Sequence, residues 1–583
     1  MEYPTRGEVE LECDLVMKGG ITSGVVYPLA ACELARTHRF RNIGGASAGA
    51  IAATLVAAAE FARDTGGFEK LALLPQDLGP DLPKLFKPGD RTRTAQAAVM
   101  AAVGPKTGGR SKARQVAGVL YRSQRGPFLR TTALGLVAGG GGALLLAGVP
   151  DDLVAALRFA ALVVVFGALA LVAAGARAVG REVRATASGL DAQGFGICVG
   201  SAGAAATPTT GADPGYLTDW LAARIDDVAG VEHPLTIGEL EAAGIHLQVM
   251  TTNLTHARPM TFPFDSREYL FDPIELGAYF PPAVMAALTA GQTQATLNDT
   301  ALATPAGAPL FRLPPRDQLP VVLAARISLS FPGLISAVPL WAVDFSRAAA
   351  RDRRPIRCWF SDGGITSNFP IHFFDAMWPT RPTFALDLRG YQPDHPESDV
   401  LYTGAAPRQP RVTTITGMGS FVGAILNTMQ YWSDDAQSTL PGYRDRIVEV
   451  HLHGDEGGMN LAMPAEVVER LAEKGRLGAQ ALLAGFDFDQ HRWTRYLTTM
   501  ARFQEEVERM GATYDEVLPG LDRTMLDVVG SGPTFAHYGH TKAWADRARA
   551  RTETLLAFAG SSDPDFATDE PRPASTLRIT PRY

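Results

Sequence analysis

Asn42-Ile43-Gly44-Gly45-Ala46-Ser47-Ala48-Gly49-Ala50 is the stretch on which the fold turns. A short segment with apolar ends, Phe40 to Ile43, enters it. An Ala-rich run at helical spacing, Ala50 to Ala62, leaves it. Between them stands Gly45-x-Ser47-x-Gly49, the pattern of a serine on a sharp strand-to-helix turn. Gly45 and Gly49 suit a turn so tight that neighbouring backbone leaves no room for a Cβ atom. Ser47 is then expected at the N-terminus of a helix, where the dipole and free amides favour developing negative charge.

Upstream, Val9, Leu11, Cys13, Leu15 and Met17 fall on every second position, which is strand period. The strand ends in Lys18-Gly19-Gly20-Ile21-Thr22-Ser23-Gly24, and Val25 to Ala35 reads as a helix. A glycine-rich turn here can aim several backbone N–H groups at one point, as a phosphate or an oxyanion requires. The phosphate loop GxxxxGK[ST] is absent.

The 583 residues allow two or three domains, or one elaborated domain with insertions. With 46% hydrophobic and 20% charged residues, a large core is available and global disorder is excluded. A formal charge of -7 argues against a nucleic-acid partner. Cys13, Cys32, Cys198 and Cys358 form no CxxC and read as reduced, buried thiols. The first twelve residues carry four glutamates and no apolar leader.

That charge is unevenly spread. Lys84 to Arg130 holds eleven Lys or Arg against Asp90 alone, a net of +10, leaving -17 elsewhere. The segregation suggests an anionic membrane surface as partner; a solvated basic linker is the plain alternative. Two uncharged runs follow, Thr131 to Val149 (19 residues) and Phe159 to Ala176 (18 residues), parted by Asp151-Asp152. At ~1.5 Å per residue each approaches the ~30 Å hydrocarbon thickness. Together they predict a transmembrane helical hairpin, or else a buried pair in a soluble lid. Arg122, Arg125 and Arg130 before it, with Arg177, Arg181 and Arg184 after it, put both ends on the cytoplasmic side. A Gly/Ala-rich linker then returns the chain to alternating strands and helices. These include Leu217–Val228, Ile245–Thr252, Cys358–Phe360 and Thr383–Leu388, and they indicate an α/β fold with a largely parallel sheet.

Several blocks in one order resemble the patatin-like phospholipase family. Gly19 to Gly24 is similar to its oxyanion loop, although Ile21 and Ser23 replace a glycine and an arginine. Gly45-Ala46-Ser47-Ala48-Gly49 is similar to its elbow. Thr252-Asn253-Leu254 with Thr261-Phe262 resembles its next strand pair, and Arg326-Ile327-Ser328-Leu329-Ser330-Phe331-Pro332 its RxS…P block. Asp362-Gly363-Gly364-Ile365-Thr366-Ser367-Asn368-Phe369-Pro370 resembles the block that carries the catalytic aspartate. The resemblance implies a three-layer α/β fold and a Ser47–Asp362 dyad without histidine. It further implies amides at Gly19, Gly20 and Ile21 for the oxyanion, Gly363 and Gly364 turning the chain behind Asp362, and no metal or cofactor. The expected activity is phospholipase A-type hydrolysis of a phospholipid or other acyl lipid at a bacterial-type inner membrane, on its cytoplasmic side. Alternatives on the same fold are a catalytically inactive membrane scaffold, an acyltransferase, and a neutral-lipid or thioester hydrolase.

The expected layout is catalytic body 1–64, basic insertion 65–130, hairpin 131–180, linker 181–215, remaining catalytic body 216–455, helices 456–560 and a disordered tail 561–583. His372, His395, His451 and His453 follow Asp362 and sit in no defensible motif. Oligomeric state is not legible.

Overall fold

The protein is described from a computed structural model. It covers residues 3–575 apart from 21, 80, 104–111, 124, 148–151, 204–214, 347–352, 392–397, 409–411, 413, 454–455, 459, 462, 518–519, 521, 532–538, 558–563 and 569. The strand-period segment forms β1 (Leu11–Met17), and the elbow is entered by β2 (His38–Ala46). Further along lie β3 (Gly196–Cys198), β4 (His246–Asn253), β5 (Arg258–Phe262), β6 (Val338–Val343), β7 (Pro355–Asp362), β8 (Thr383–Gly390) and β9 (Ile447–Leu452). The central order is β9-β8-β1-β2-β4, and every pair in it is parallel. Antiparallel strands complete the sheet: β7 pairs with the C-terminal half of β4, β6 pairs with β7, and a short strand, Val400–Leu401, pairs with β9. The fold is therefore mixed α/β, with a parallel middle and antiparallel edges.

Alternation along β1 sorts the core into two faces. Cys13, Leu15 and Met17 join the large cluster, which is covered by α1 (Tyr27–Leu34), α2 (Ala48–Phe61) and α3 (Gly67–Leu78). Val16 points the other way, into a small cluster with Ala46, Met250, Phe369, Ile371 and Phe373. Helix α2 is apolar nearly all round and buried to match.

After α3 come α4 (Leu82–Leu85), α5 (Arg93–Val103), α6 (Lys112–Ser123), α7 (Arg125–Ala147) and the 40-residue α8 (Leu153–Ala192). Helix α7 packs along α8. Both leave apolar side chains uncovered: Val137 is 75% exposed, Leu145 89% and Val172 71%. Among the described residues one helix, Ala156–Ala192, is long and apolar enough to cross a membrane by length and composition.

Three expected borders move. Phe68, Leu71 and Leu74 of α3 lie in the main core, so the first part of the α/β body runs past residue 64 to about Phe86. Helix α8 extends to Ala192, consuming the first part of the expected linker; residues 204–214 of that linker lie outside the described residues. The expected disordered tail is partly packed. Glu570 is buried in an ion pair with Arg502, and the Phe566 amide donates to Gln504 at 3.0 Å. Both partners belong to a helix, Phe488–Tyr514. The four cysteines are buried and unpaired.

Candidate active site

Ser47 and Asp362 are 315 positions apart, and the sheet brings them together. Met250 of β4 pairs with Ala46 on one side and Thr261 on the other. The next residue, Thr251, pairs with Asp362 on one side and Met260 on the other. Since β5 occupies a single edge, β2 and β7 must share the opposite edge of β4. They run toward each other and meet end to end. Ser47 follows the last residue of β2, and Asp362 is the last residue of β7, so their side chains face across the junction.

The contact is direct: Ser47 Oγ donates to Asp362 Oδ2 at 2.7 Å. The other carboxylate oxygen, Oδ1, accepts from the Gly364 amide at 2.7 Å. Both residues are buried. Burial pushes the Asp362 carboxyl up to about 7, against the two hydrogen bonds that favour its anion. A carboxylate tuned there accepts a serine proton far better than one near its ordinary ~3.9. Among the described residues no histidine bonds to either group. His451 bonds to the Ser398 carbonyl and His453 to Tyr391, while His395 lies outside the described residues.

Ser47 sits at φ 53° and ψ −125°, a strained conformation for a residue with a side chain. The surroundings hold it. Its amide donates to Ser328 Oγ at 3.0 Å, and that hydroxyl donates onward to the Met250 carbonyl at 2.6 Å. Two further helices are α9 (Leu217–Ala229) and α10 (Val321–Ser328), and Ser328 ends the second. A Cβ on Gly49 would lie 2.2 Å from the Met17 carbonyl oxygen, and one on Gly45 2.6 Å from Gly49 backbone. The elbow therefore needs both glycines for close approach. Gly363 is under the same constraint, 2.1 Å from the Met250 oxygen, and a Cβ on Gly364 would meet Asn368 Oδ1 at 2.5 Å.

The glycine-rich loop abuts the serine, but not every amide expected to serve it is open. The Gly19 amide donates to the Asn368 carbonyl at 2.8 Å, and Asn368 Nδ2 returns a bond to the Gly19 carbonyl at 3.1 Å. Gly19 is thus corrected from oxyanion donor to spacer. A Cβ there would stand 2.9 Å from Ser47 Cβ. The Gly20 amide donates to no acceptor among the described residues, and Ile21 lies outside them. The Ala48 amide, first of α2, adds a helix-terminal donor beside Ser47.

Asp434 was not legible as a site residue. It lies on α11 (Met418–Ser438) and accepts from the Asn368 amide at 2.7 Å, the Phe369 amide at 2.9 Å and Ser367 Oγ at 2.9 Å. Burial pushes its carboxyl up to about 6. Through Asn368 it fixes Gly19, and so one wall of the site. Lys18 anchors the same loop from below, with Nζ 2.5 Å from Asp387 Oδ1.

A small apolar cleft of about 60 Å³ runs along α2 from Ala48, the residue after the serine. Ala48, Ala52 and Leu55 of α2 form its floor, and Trp220 of α9 closes one side.

No known protein-family profile matches the chain. The RpoH suppressor of Rhizobium meliloti (strain 1021) is 32% identical to it over an alignment of 665 positions, covering 98% of this chain and 99% of that protein. Among solved structures, VipD from Legionella pneumophila aligns at 13% identity, over 96% of this chain and 88% of that one. Its TM-score is 0.28, too low to carry an argument.

Proposed function

The chain belongs to the family of the Rhizobium meliloti RpoH suppressor, and from that premise we propose that it is a serine acyl hydrolase of the patatin-like type, acting on membrane lipid. The family name states no reaction, so the reading rests on the site. Its main support is the Ser47 Oγ to Asp362 Oδ2 hydrogen bond of 2.7 Å on a strained elbow.

Asp362 takes the Ser47 proton as Oγ attacks the ester carbonyl carbon. The oxyanion forms beside the Gly20 and Ala48 amides; one such donor is typically worth ~3 kcal/mol. Collapse breaks the ester C–O bond, and the departing alcohol or lysolipid takes the proton back from Asp362. Water then gives a proton to Asp362 and attacks the acyl ester. The fatty acid leaves and Ser47 recovers its hydrogen. The exposed apolar faces of α7 and α8 support a membrane-embedded hairpin that holds this site at the bilayer.

A fluorophosphonate probe tests the reading. The intact protein should be labelled at Ser47, Ser47→Ala should not, and mass spectrometry should detect fatty acid released from phospholipid vesicles by the former alone. The occupied Gly19 amide favours a second reading, a scaffold with a silent site. Absence of labelling in the intact protein would establish that one.

A further inference from the structure

Arg326 is a buried cation with no acid beside it. It is 2% exposed, on the helix α10 that also carries Ser328. Two of its nitrogens are used: Nη1 donates to Ser330 Oγ at 2.7 Å and Nη2 to the Ser336 carbonyl at 2.7 Å. Both acceptors are neutral. The third nitrogen, Nε, donates to no group among the described residues. The Tyr279 ring centre lies 5.8 Å from the guanidinium carbon, but burial pushes that phenol up to about 12 and keeps it neutral. Burial draws the Arg326 guanidinium down to about 10, which leaves it charged near neutral pH. By contrast Arg63, Arg389, Arg408 and Arg446, all buried, each hold a carboxylate. A charge taken out of water without a partner is costly.

Nε faces a particular place. A Cβ on Gly200 would stand 3.2 Å from Arg326 Nε, 3.2 Å from Thr218 Oγ1 and 3.5 Å from Arg326 Nη2, its three nearest atoms. Gly200 has φ 82°, where a side chain would be strained, so glycine keeps that space clear. Thr218 is 1% exposed, and its hydroxyl also has no hydrogen-bond partner among the described residues. It is the second residue of α9, and Tyr216 ahead of the helix supplies no side-chain cap. The Thr218 amide donates to the Gly200 carbonyl at 2.7 Å, holding the glycine against this first turn, the positive end of the helix dipole. Asp219, next in the turn, is engaged elsewhere: Oδ1 accepts from Ser201 Oγ at 2.6 Å and Oδ2 from the Ala202 amide at 3.0 Å.

We propose that Arg326 Nε, the Thr218 hydroxyl and the first turn of α9 bind one buried chloride ion beside Gly200. A monatomic anion sets a single charge against a single guanidinium and accepts from donors in any direction. A phosphate would bring further charge, and oxygens that need further donors in a place enclosed by buried residues. The ion braces the candidate dyad from behind. Ser330, which Arg326 grips, accepts at its carbonyl from the Asp362 amide at 3.0 Å and from Ser361 Oγ at 2.8 Å. The same helix ends in Ser328, the support of the Ser47 amide.

The test uses the full-length protein in detergent, dialysed into sodium gluconate and titrated with sodium chloride at constant ionic strength. The melting midpoint should rise saturably with chloride, as binding to the folded state alone requires. Bromide should replace chloride, and crystals grown in bromide should show an anomalous peak in contact with Arg326 Nε and Thr218 Oγ1. Arg326→Met should abolish the chloride dependence. Thr218→Val keeps the shape and loses the hydroxyl, and should raise the half-saturating chloride concentration about tenfold, the effect of one lost hydrogen bond to a charged partner. If Arg326→Met does not fold, Thr218→Val decides alone. Equal midpoints in chloride and gluconate, a dependence unchanged in Thr218→Val, or a water in place of bromide on Nε would each overturn the site. None of these readouts requires Ser47 to react, so the anion site and the hydrolase reading stand or fall separately.

Discussion

At the dyad, one environment sets both reactivity and stability. Asp362 has its folded-state carboxyl raised to about 7, well above an unfolded value near ~3.9. Its protonated form is therefore the one that the fold favours. The contribution is fully present below pH ~4 and is lost as pH rises through about 7. The proposed hydrolysis needs the opposite state. The initial rate should climb about tenfold per pH unit below 7 and level off above it, because the anion is the base. Asp362→Asn should cut kcat by roughly 10²–10⁴-fold, yet melt higher than the parent at pH 8. That difference should shrink toward pH 4, as calorimetry across the range will show. A base that destabilises its own fold at working pH is what the proposed dyad requires; a plain turn aspartate would show neither effect. Asp434 separates a positioning role from a chemical one. In Asp434→Asn an amide oxygen can still accept from Asn368 and Phe369. Asp434→Ala leaves two buried amides unpaired, at about 1–3 kcal/mol each. The alanine variant should lose about 2–6 kcal/mol by chemical denaturation and most of its kcat, while the asparagine variant keeps the pH profile of Asp362.

At the scale of elements, the junction of β2 and β7 explains why the pair is legible in the sequence. Ser47 follows the end of one strand and Asp362 ends another, each leads into glycines or a helix start, and those local demands are written in adjacent residues. The bonds that complete the site are not local. Ser328 reaches the Ser47 amide across 281 positions and Asp434 reaches Asn368 across 66. No spacing rule links them. Asp434 reads in the sequence as one of two aspartates ending a long uncharged stretch. The Gly19 amide was expected to be free for the same reason, since its acceptor comes from a loop 349 positions away. The border at residue 64 shifted because α3 carries its core contacts at Phe68, Leu71 and Leu74 among polar neighbours, which composition averages out. The prop on the elbow is testable. Ser328→Ala removes the acceptor for a buried N–H and should destabilise by about 1–3 kcal/mol. It should also relax the φ 53° conformation of Ser47, lowering the rate of fluorophosphonate labelling more than it lowers melting temperature. A labelling rate that falls no further than the loss of stability accounts for would contradict that reading.

Across the whole molecule, the insertion is joined to the α/β body through a closed neck. A Cβ on Gly189 would lie 2.9 Å from that of Arg91, and Gly89 is already hydrogen-bonded to Ile197. The chain that leaves at residue 92 has thus returned by residue 189. Replacing 93–188 by a short Gly/Ser linker should preserve the sheet, the dyad and the cleft, because Phe86 and Cys198 remain in place. The cost includes the packing of the partly buried Ala95, Val99 and Met100 of α5 on the main core and the Gln96 bond to the Phe86 carbonyl. Such a protein should stay in solution without detergent and react with a fluorophosphonate at close to the parental rate. Toward vesicle phospholipid it should be slowed by an order of magnitude or more, since it has lost both the apolar helices and most of the basic stretch, where each cation near an anionic surface is worth ~1 kcal/mol. Toward a monomeric ester it should be unchanged. Hydrolysis of vesicles by the intact protein should also weaken with salt if the basic stretch acts on the bilayer surface. Equal activity of both forms on vesicles would assign the hairpin a role unrelated to substrate access, and an insoluble excised body would show that α7 and α8 are part of the core and not an anchor.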